Sequence, residues 1–222
     1  MSTAWKLNAR RLRQQLERRG IRSQRVLDVM ESVPRDLFVP ERLQEAAWDD
    51  RALEIGVGQT ISQPFIVARM TELLALEGDE SVLEIGTGSG YQAVVLAKLA
   101  RHVTTIERIP ALQRRAQRVL ADLGFDNIEF LIGDGSLGWP PGAPYDAIVA
   151  TAAAPSIPPA LYEQLAPGGR LVLPVGSELE QVLQCVRKEA AGPVIRSDCG
   201  CRFVPLVGEA GWAEPAEQPD EL

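Results

Sequence analysis

The residues best suited to chemistry lie in one stretch of this 222-residue chain, Glu84-Ile85-Gly86-Thr87-Gly88-Ser89-Gly90, between a short apolar run and a helical one. A glycine-rich turn between strand and helix lets backbone approach a ligand closely and aims helix amides at it. A dinucleotide turn requires Gly-x-Gly-x-x-Gly, but its third glycine position is here Tyr91; the glycines fall at 86, 88 and 90. The Glu84 carboxylate suits a cationic ammonium and would repel a pyrophosphate. Glu107 closes the next apolar run, where a carboxylate can accept both hydroxyls of a ribose. Asp134-Gly135 closes the one after, with a polar side chain placed to meet an adenine edge. Ammonium, ribose and adenine from three successive strand ends describe S-adenosylmethionine.

A second constellation precedes this one: Gly56-Val57-Gly58-Gln59-Thr60-Ile61-Ser62-Gln63-Pro64. It reads as a polar, glycine-rich loop entering a helix near Pro64, a favourable first-turn residue. Its hydroxyls and free amides can face a carboxylate, although by itself the stretch is equally a simple turn. Other chemistries find little support. The single histidine, His102, precedes the second strand, at the edge of the sheet away from any ligand, so a Ser–His–Asp hydrolase fails on placement. Cys199-x-Cys201 has no second Cys/His pair to complete a metal site, and no metal is expected.

The elements that must position these residues follow from periodicity. Residues 5–31 and 42–50 read as helices, punctuated by Pro34 and Pro40. From Ser81 onward, strands at 81–85, 103–107, 128–132, 145–151 and 170–175 alternate with helices at 89–100, 111–123 and 158–165. That alternation specifies an α/β fold with a mostly parallel, doubly wound sheet. The runs at 179–188 and 194–206 have no helix between them, so the sheet should finish in an antiparallel pair. In such sheets ligands sit beyond the carboxyl ends of the strands, where strand order reverses.

Composition narrows the field. Lys and Arg number 23 against 30 Asp and Glu, a formal charge of −7. An acidic surface argues against gripping phosphate backbones, and no nucleic acid is expected as a partner. The exception is residues 1–27, about +7, which read as a helix with its arginines in solvent and Leu12 and Leu16 turned inward; an organelle presequence or a helix that meets an acidic partner would carry the same pattern. No apolar run reaches the roughly 18–20 residues of a membrane span, and Lys6, Arg10 and Arg11 interrupt any secretory core. Three cysteines, an odd number and few for this length, argue against a disulfide framework and fit a reducing cytoplasm. Residues 209–222, acidic and with two prolines, read as a disordered tail.

Arg35-Asp36-Leu37-Phe38-Val39-Pro40, Gly58-Gln59-Thr60-Ile61-Ser62-Gln63-Pro64, Val82 to Tyr91, Gly133 to Trp139, Ala143 to Ile148, and Arg202-Phe203-Val204-Pro205-Leu206 stand out as a set. Together they closely resemble the protein-L-isoaspartate O-methyltransferase family. The resemblance covers roughly residues 25–208. The glycine motif is common to many methyltransferases, whereas the Gln-Thr-Ile-Ser-Gln-Pro loop is specific to this family. It implies a Rossmann-like class I S-adenosylmethionine-dependent methyltransferase with N-terminal helices, in one domain over 1–208. Residues 1–80 would hold the helices and substrate loop, and 81–208 the core. It further implies methylation of isoaspartyl carboxyl groups in damaged proteins and peptides, by a cytoplasmic, monomeric enzyme. Gln59, Thr60, Ile61 and Ser62 become cofactor and substrate contacts, with Ser62 the active-site residue, alongside Glu84, Gly86, Gly88, Gly90, Glu107, Asp134 and Gly135. A carboxylate acceptor is already ionised near neutral pH, so attack on the sulfonium methyl needs no general base. Two departures stand out: Glu54 where the family usually has proline, and Cys201 where it commonly has valine. A class I methyltransferase of small molecules or RNA would share residues 81–135 but would not need the 59–64 loop.

Overall fold

The computed structural model describes residues 4–214. Seven strands form the central sheet: β3 (Ser81–Ile85), β4 (His102–Glu107), β5 (Ile128–Ile132), β6 (Tyr145–Ala150), β7 (Leu165–Gly176), β8 (Gln181–Glu189) and β9 (Gly192–Cys201). Their order is β5-β4-β3-β6-β7-β8-β9. The first five run parallel and β8 and β9 run antiparallel, matching the expected finish. Strand order reverses at β3, with β4 on one side and β6 on the other. The crevice beyond the carboxyl end of β3 is therefore the switch point at which open α/β sheets bind ligands.

Helices α4 (Tyr91–Ala97) and α5 (Pro110–Asp122) connect the parallel strands, and α6 (Pro159–Glu163) leads into β7. Both faces of the sheet are covered. Val82, Val103, Val149 and Val172 join one buried cluster with the helices; Leu83, Ile85, Ile148 and Leu171 join another on the opposite face. The alternation Val82/Leu83 along β3 is the pleat itself sorting side chains to two cores.

The N-terminal region differs from the sequence expectation in three ways. Residues 5–31 form not one helix but two, α1 (Ala4–Arg18) and α2 (Gln24–Ser32), broken at Gly20 with φ +102°. Ser23 caps α2 by accepting a hydrogen bond from the Val26 amide. Residues 42–50 form short 3-10 turns, Glu41–Leu43 and Glu45–Trp48, instead of an α-helix. The 56–64 stretch, read as loop, instead supplies the turn and second strand of a hairpin, β1 (Leu53–Gly56) and β2 (Gln59–Ile61), ahead of helix α3 (Pro64–Leu74). Its tight turn places Val57 and Gly58 at φ +54° and +66°, the left-handed geometry that suits a two-residue hairpin. Leu12 and Leu16 are buried as expected, and Arg13 lies among Glu17, Gln24, Asp28 and Glu31.

The expected tail is also corrected in part. Residues 209–214 pack against the sheet: the Glu209 amide donates to Asp134 Oδ2, the Ala210 amide to Ser136 Oγ, and Trp212 Nε1 to the Ala153 carbonyl. Local composition suggests disorder, but tertiary hydrogen bonds to three distant positions order this strap. Residues 215–222 lie outside the described residues.

Candidate functional site

A cavity of about 220 Å³ opens at the switch point. Its floor is the glycine turn, Gly86 and Gly88, with Ile85 before it. One wall comes from the end of β4, Ile106 to Ile109, and another from Gln59 and Thr60 of β2. Gly135, Thr151 and Val204 to Val207, the segment just ahead of the strap, complete it. Of the residues expected from sequence, Gln59, Thr60, Gly86, Gly88, Glu107 and Gly135 therefore meet in one place.

Glu107 sits at the cavity edge with both carboxylate oxygens already oriented. Oε2 accepts from the Gly88 amide at 2.9 Å and Oε1 from the Ile109 amide at 2.9 Å. Each oxygen keeps a lone pair, enough for a vicinal diol. Apolar Ile85, Ile106, Ile109 and Leu206 offer surfaces for a flat ring. This donor set fits an adenosyl group: a carboxylate for ribose hydroxyls, an apolar slot for the base, and a turn close enough to admit a chain. At Gly86 no side chain would fit, since a Cβ would fall 2.6 Å from Thr151 Oγ1.

A smaller crevice of about 30 Å³ continues from the cavity between Thr60, Ile61 and Ser62 on one side and the turn Gly86–Ser89 on the other. Beyond the same loop lies a groove of about 300 Å³, lined by Asp50, Arg51, Ser62, Gln63 and Arg202 to Val204. Thr60 and Thr151 border all three spaces, and Ser62 borders the crevice and the groove. The loop is thus a partition with cofactor-sized space behind it and an open, polar groove in front.

Three expected residues take other positions. Glu84 is fully buried and lines none of these spaces. In the pleat of β3 it shares a face with Val82, and its Oε2 accepts from Thr105 Oγ1 at 2.5 Å while Oε1 has no partner. Burial, with the nearby Glu107 charge, pushes its carboxyl up to about 8, against the smaller opposing pull of the Thr105 hydroxyl. Thr105 also meets Thr87 Oγ1 at 2.7 Å, so Glu84 reaches the glycine turn only through two hydroxyls. Gly90 faces α5: a Cβ there would come within 2.7 Å of Leu120 Cδ1. Asp134 borders a neighbouring cavity with Arg108, and its oxygens accept from the Ser136 and Glu209 amides. Burial works against its charged form, but those amides and Arg108 more than compensate, leaving its carboxyl below the ordinary range.

Thr151 is absent from the residues expected from sequence, yet its hydroxyl bonds the Gly86 carbonyl at 2.6 Å and ties β6 to the turn. The rule that places Glu107, a polar side chain at the carboxyl end of a parallel strand, also points to it, one residue past β6. His102 sits at the opposite edge of the sheet, paired in register with Ser81. Among the described residues no cluster of His, Cys, Asp or Glu could hold a metal.

Comparison with known proteins gives a consistent answer. The model of the protein-L-isoaspartate(D-aspartate) O-methyltransferase family matches residues 7–211. A protein-L-isoaspartate O-methyltransferase of Trichlorobacter lovleyi is 53% identical over 204 residues, 91% of this chain and 94% of the relative. A solved protein-L-isoaspartate O-methyltransferase superposes with TM-score 0.83 at 28% identity, covering 91% of this chain and 67% of its own. A Plasmodium falciparum chain, solved as a candidate enzyme of the same kind with S-adenosyl-L-homocysteine, gives TM-score 0.76 at 25% identity over 87% of this chain and 95% of its own.

Proposed function

This chain belongs to the protein-L-isoaspartate(D-aspartate) O-methyltransferase family, and from that premise we propose how its residues divide the work. The enzyme transfers a methyl group from S-adenosylmethionine to the free carboxyl of isoaspartyl residues in damaged proteins. A carboxylate oxygen gains the methyl carbon as the carbon–sulfur bond breaks, leaving a thioether; no proton moves. The resulting ester closes to a succinimide as the neighbouring backbone amide nitrogen loses its proton and displaces methanol, and water then opens part of the imide to ordinary aspartate. When bound, the sulfonium supplies an electrophilic carbon; everything else falls to positioning by the protein.

Glu107 holds the ribose hydroxyls, and the Gly86–Gly88 backbone admits the chain between adenosine and sulfur. Gly135 and Val204 to Val207 face the base. Gln59, Thr60 and Ile61 close over the sulfonium end from β2. Ser62 faces the groove and orients the acceptor carboxylate toward the crevice, without acting as a nucleophile. Glu84 and Gly90 act through the turn, Glu84 by way of Thr105 and Thr87, Gly90 by letting α4 approach α5. Asp134 holds the 209–214 strap, which directly follows the base-facing residues 204–207.

The observation that carries this division is the partition: Ser62 borders both the cofactor-side crevice and the open groove. A carboxylate on a protein surface can enter the groove without the donor leaving its own cavity. The test is Ser62→Ala. Its kcat with an isoaspartyl peptide should fall about 10- to 100-fold while the Kd for S-adenosylmethionine moves less than about 3-fold. Equal, small changes in both would remove Ser62 from this role.

The cellular setting is the cytoplasm and the working unit the single chain. Cys185, Cys199 and Cys201 are free thiols, as a reducing compartment keeps them. Both walls of the site come from one chain. No helix among the described residues is long and apolar enough to cross a membrane, and the charge of −7 suits protein rather than nucleic-acid partners.

A further inference from the structure

Arg35 is the largest fully buried side chain among the described residues, at 0% exposure. Arginine is almost never fully buried unless paired with an anion. Here the hydrogen-bond partners are backbone carbonyls: Nε donates to Ala47 at 2.8 Å and Nη2 to Ser62 at 2.7 Å. The guanidinium lies 4.7 Å from the centre of the Tyr91 ring, the first residue of α4 after the glycine turn. Nη1 has no partner. One buried cation therefore joins the substrate loop, the N-terminal 3-10 turns and the helix that follows the cofactor turn.

Packing alone does not explain it. A neutral side chain could fill the same volume without burying a charge and leaving a donor unsatisfied, both of which are costly. Burial pulls the guanidinium down to about 10, with Tyr91 and Asp50 opposing, so it stays charged at neutral pH. The loop is anchored from its other side as well. Asp50 Oδ1 accepts from the Phe65 amide at 2.9 Å, and the Asp50 carbonyl accepts from Gln63 Nε2 at 2.8 Å.

We propose that Arg35 is a positioning residue for the methyl transfer: it fixes the Ser62 backbone against the glycine-turn helix and sets a buried positive charge behind the place where the acceptor carboxylate binds. The proposal rests on the reading of the Ser62 groove as the acceptor site. A preorganised charge in a low-dielectric setting is screened far less than one in water. It favours an anionic acceptor over a neutral amide and holds that acceptor in line with the donor.

The experiment uses the full chain as wild type, Arg35→Met and Arg35→Lys. It measures kcat and KM with an isoaspartyl peptide, the Kd for S-adenosylmethionine, and thermal stability. Arg35→Met, of similar length but neutral, should lose about 30- to 300-fold in kcat/KM with cofactor Kd within about 3-fold of wild type. Arg35→Lys, which keeps charge but not the forked geometry, should recover part of that loss. If Arg35→Met does not fold, Arg35→Lys carries the test through the same split between kcat/KM and Kd. Folded variants with wild-type kinetics overturn the proposal, as does a loss in which cofactor Kd moves as far as kcat/KM. Unfolding of both variants overturns it too, since Arg35 would then serve the fold alone. Wild-type transfer in the same experiment separates the questions: its absence defeats the reading of the site, whereas intact variants beside an active wild type defeat only the role of Arg35.

Discussion

Glu84 and Glu107 lie at or next to the ends of neighbouring strands with the same functional group, and their surroundings give them opposite roles. Glu107 lies past the last paired residue of β4's register with β3, so it reaches the cavity, where amides hold it as an acceptor. Glu84 is still within β3, paired with Thr105, and the pleat turns it into the core. From sequence the two are indistinguishable, because spacing to a glycine turn does not reveal which face of the pleat a residue occupies. The consequence is a pH effect. A carboxyl raised to about 8 in the folded chain, against an ordinary value near 4.5, is protonated at no electrostatic cost below pH 4.5. Stability is lost progressively as pH rises from there through about 8, because the folded state must then bury the ionised form. Urea unfolding of Glu84→Gln should show a flatter dependence over that window and a gain over wild type at pH 9. Parallel curves for the two proteins would count against a buried, protonated Glu84.

At the scale of elements, the sequence locates β3 to β6 to within a residue because their apolar runs are short and cleanly bounded, whereas β7, read as 170–175, begins at Leu165. It locates β5 at Ile128–Ile132 without error. It errs where tertiary contacts overrule composition. The 53–61 hairpin is only four and three residues long per strand, too short for alternation to register, and its turn uses Val57 where Asn or Gly is usual. The strap from Glu209 is polar and proline-flanked, yet the Asp134 carboxylate, the Ser136 hydroxyl and the Ala153 carbonyl fix it. The glycine turn shows the same division. Gly86 meets the cavity, but Gly90, at φ +87°, is required by α5, whose Ala116 Cβ would lie 3.0 Å from an added Cβ. Gly90→Ala should therefore cost about 1–3 kcal/mol in unfolding free energy, from left-handed backbone strain and overpacking together. A denaturant midpoint unchanged from wild type would show that α4 and α5 yield at no cost.

Over the whole molecule, the site is assembled from two halves that differ in how far the sequence reveals them. The cofactor half follows from a general rule about parallel sheets, so Gly86, Gly88, Glu107 and Gly135 are legible from their positions at strand ends alone. The acceptor half depends on the loop at 59–64, whose role follows from family resemblance and not from any physical signal in its residues. Of the residues that anchor that loop, Arg35 is visible in sequence only as part of the 35–40 segment that resembles the family, and Asp50 only as a charge. A buried arginine looks like any surface arginine until burial is known. The molecule is acidic, with a net charge of −7, yet Arg51 and Arg202 line the groove, with Asp50 beside them. That arrangement matches an acceptor that is itself an anion on a protein. The most direct measurement is transfer of a labelled methyl group from S-adenosylmethionine to a synthetic peptide with a single isoaspartyl-glycine link, with the matching aspartyl peptide as control. Base-labile label on the isoaspartyl peptide alone is the expected result. Label on both peptides alike, or cofactor binding without transfer to either, would contradict the account.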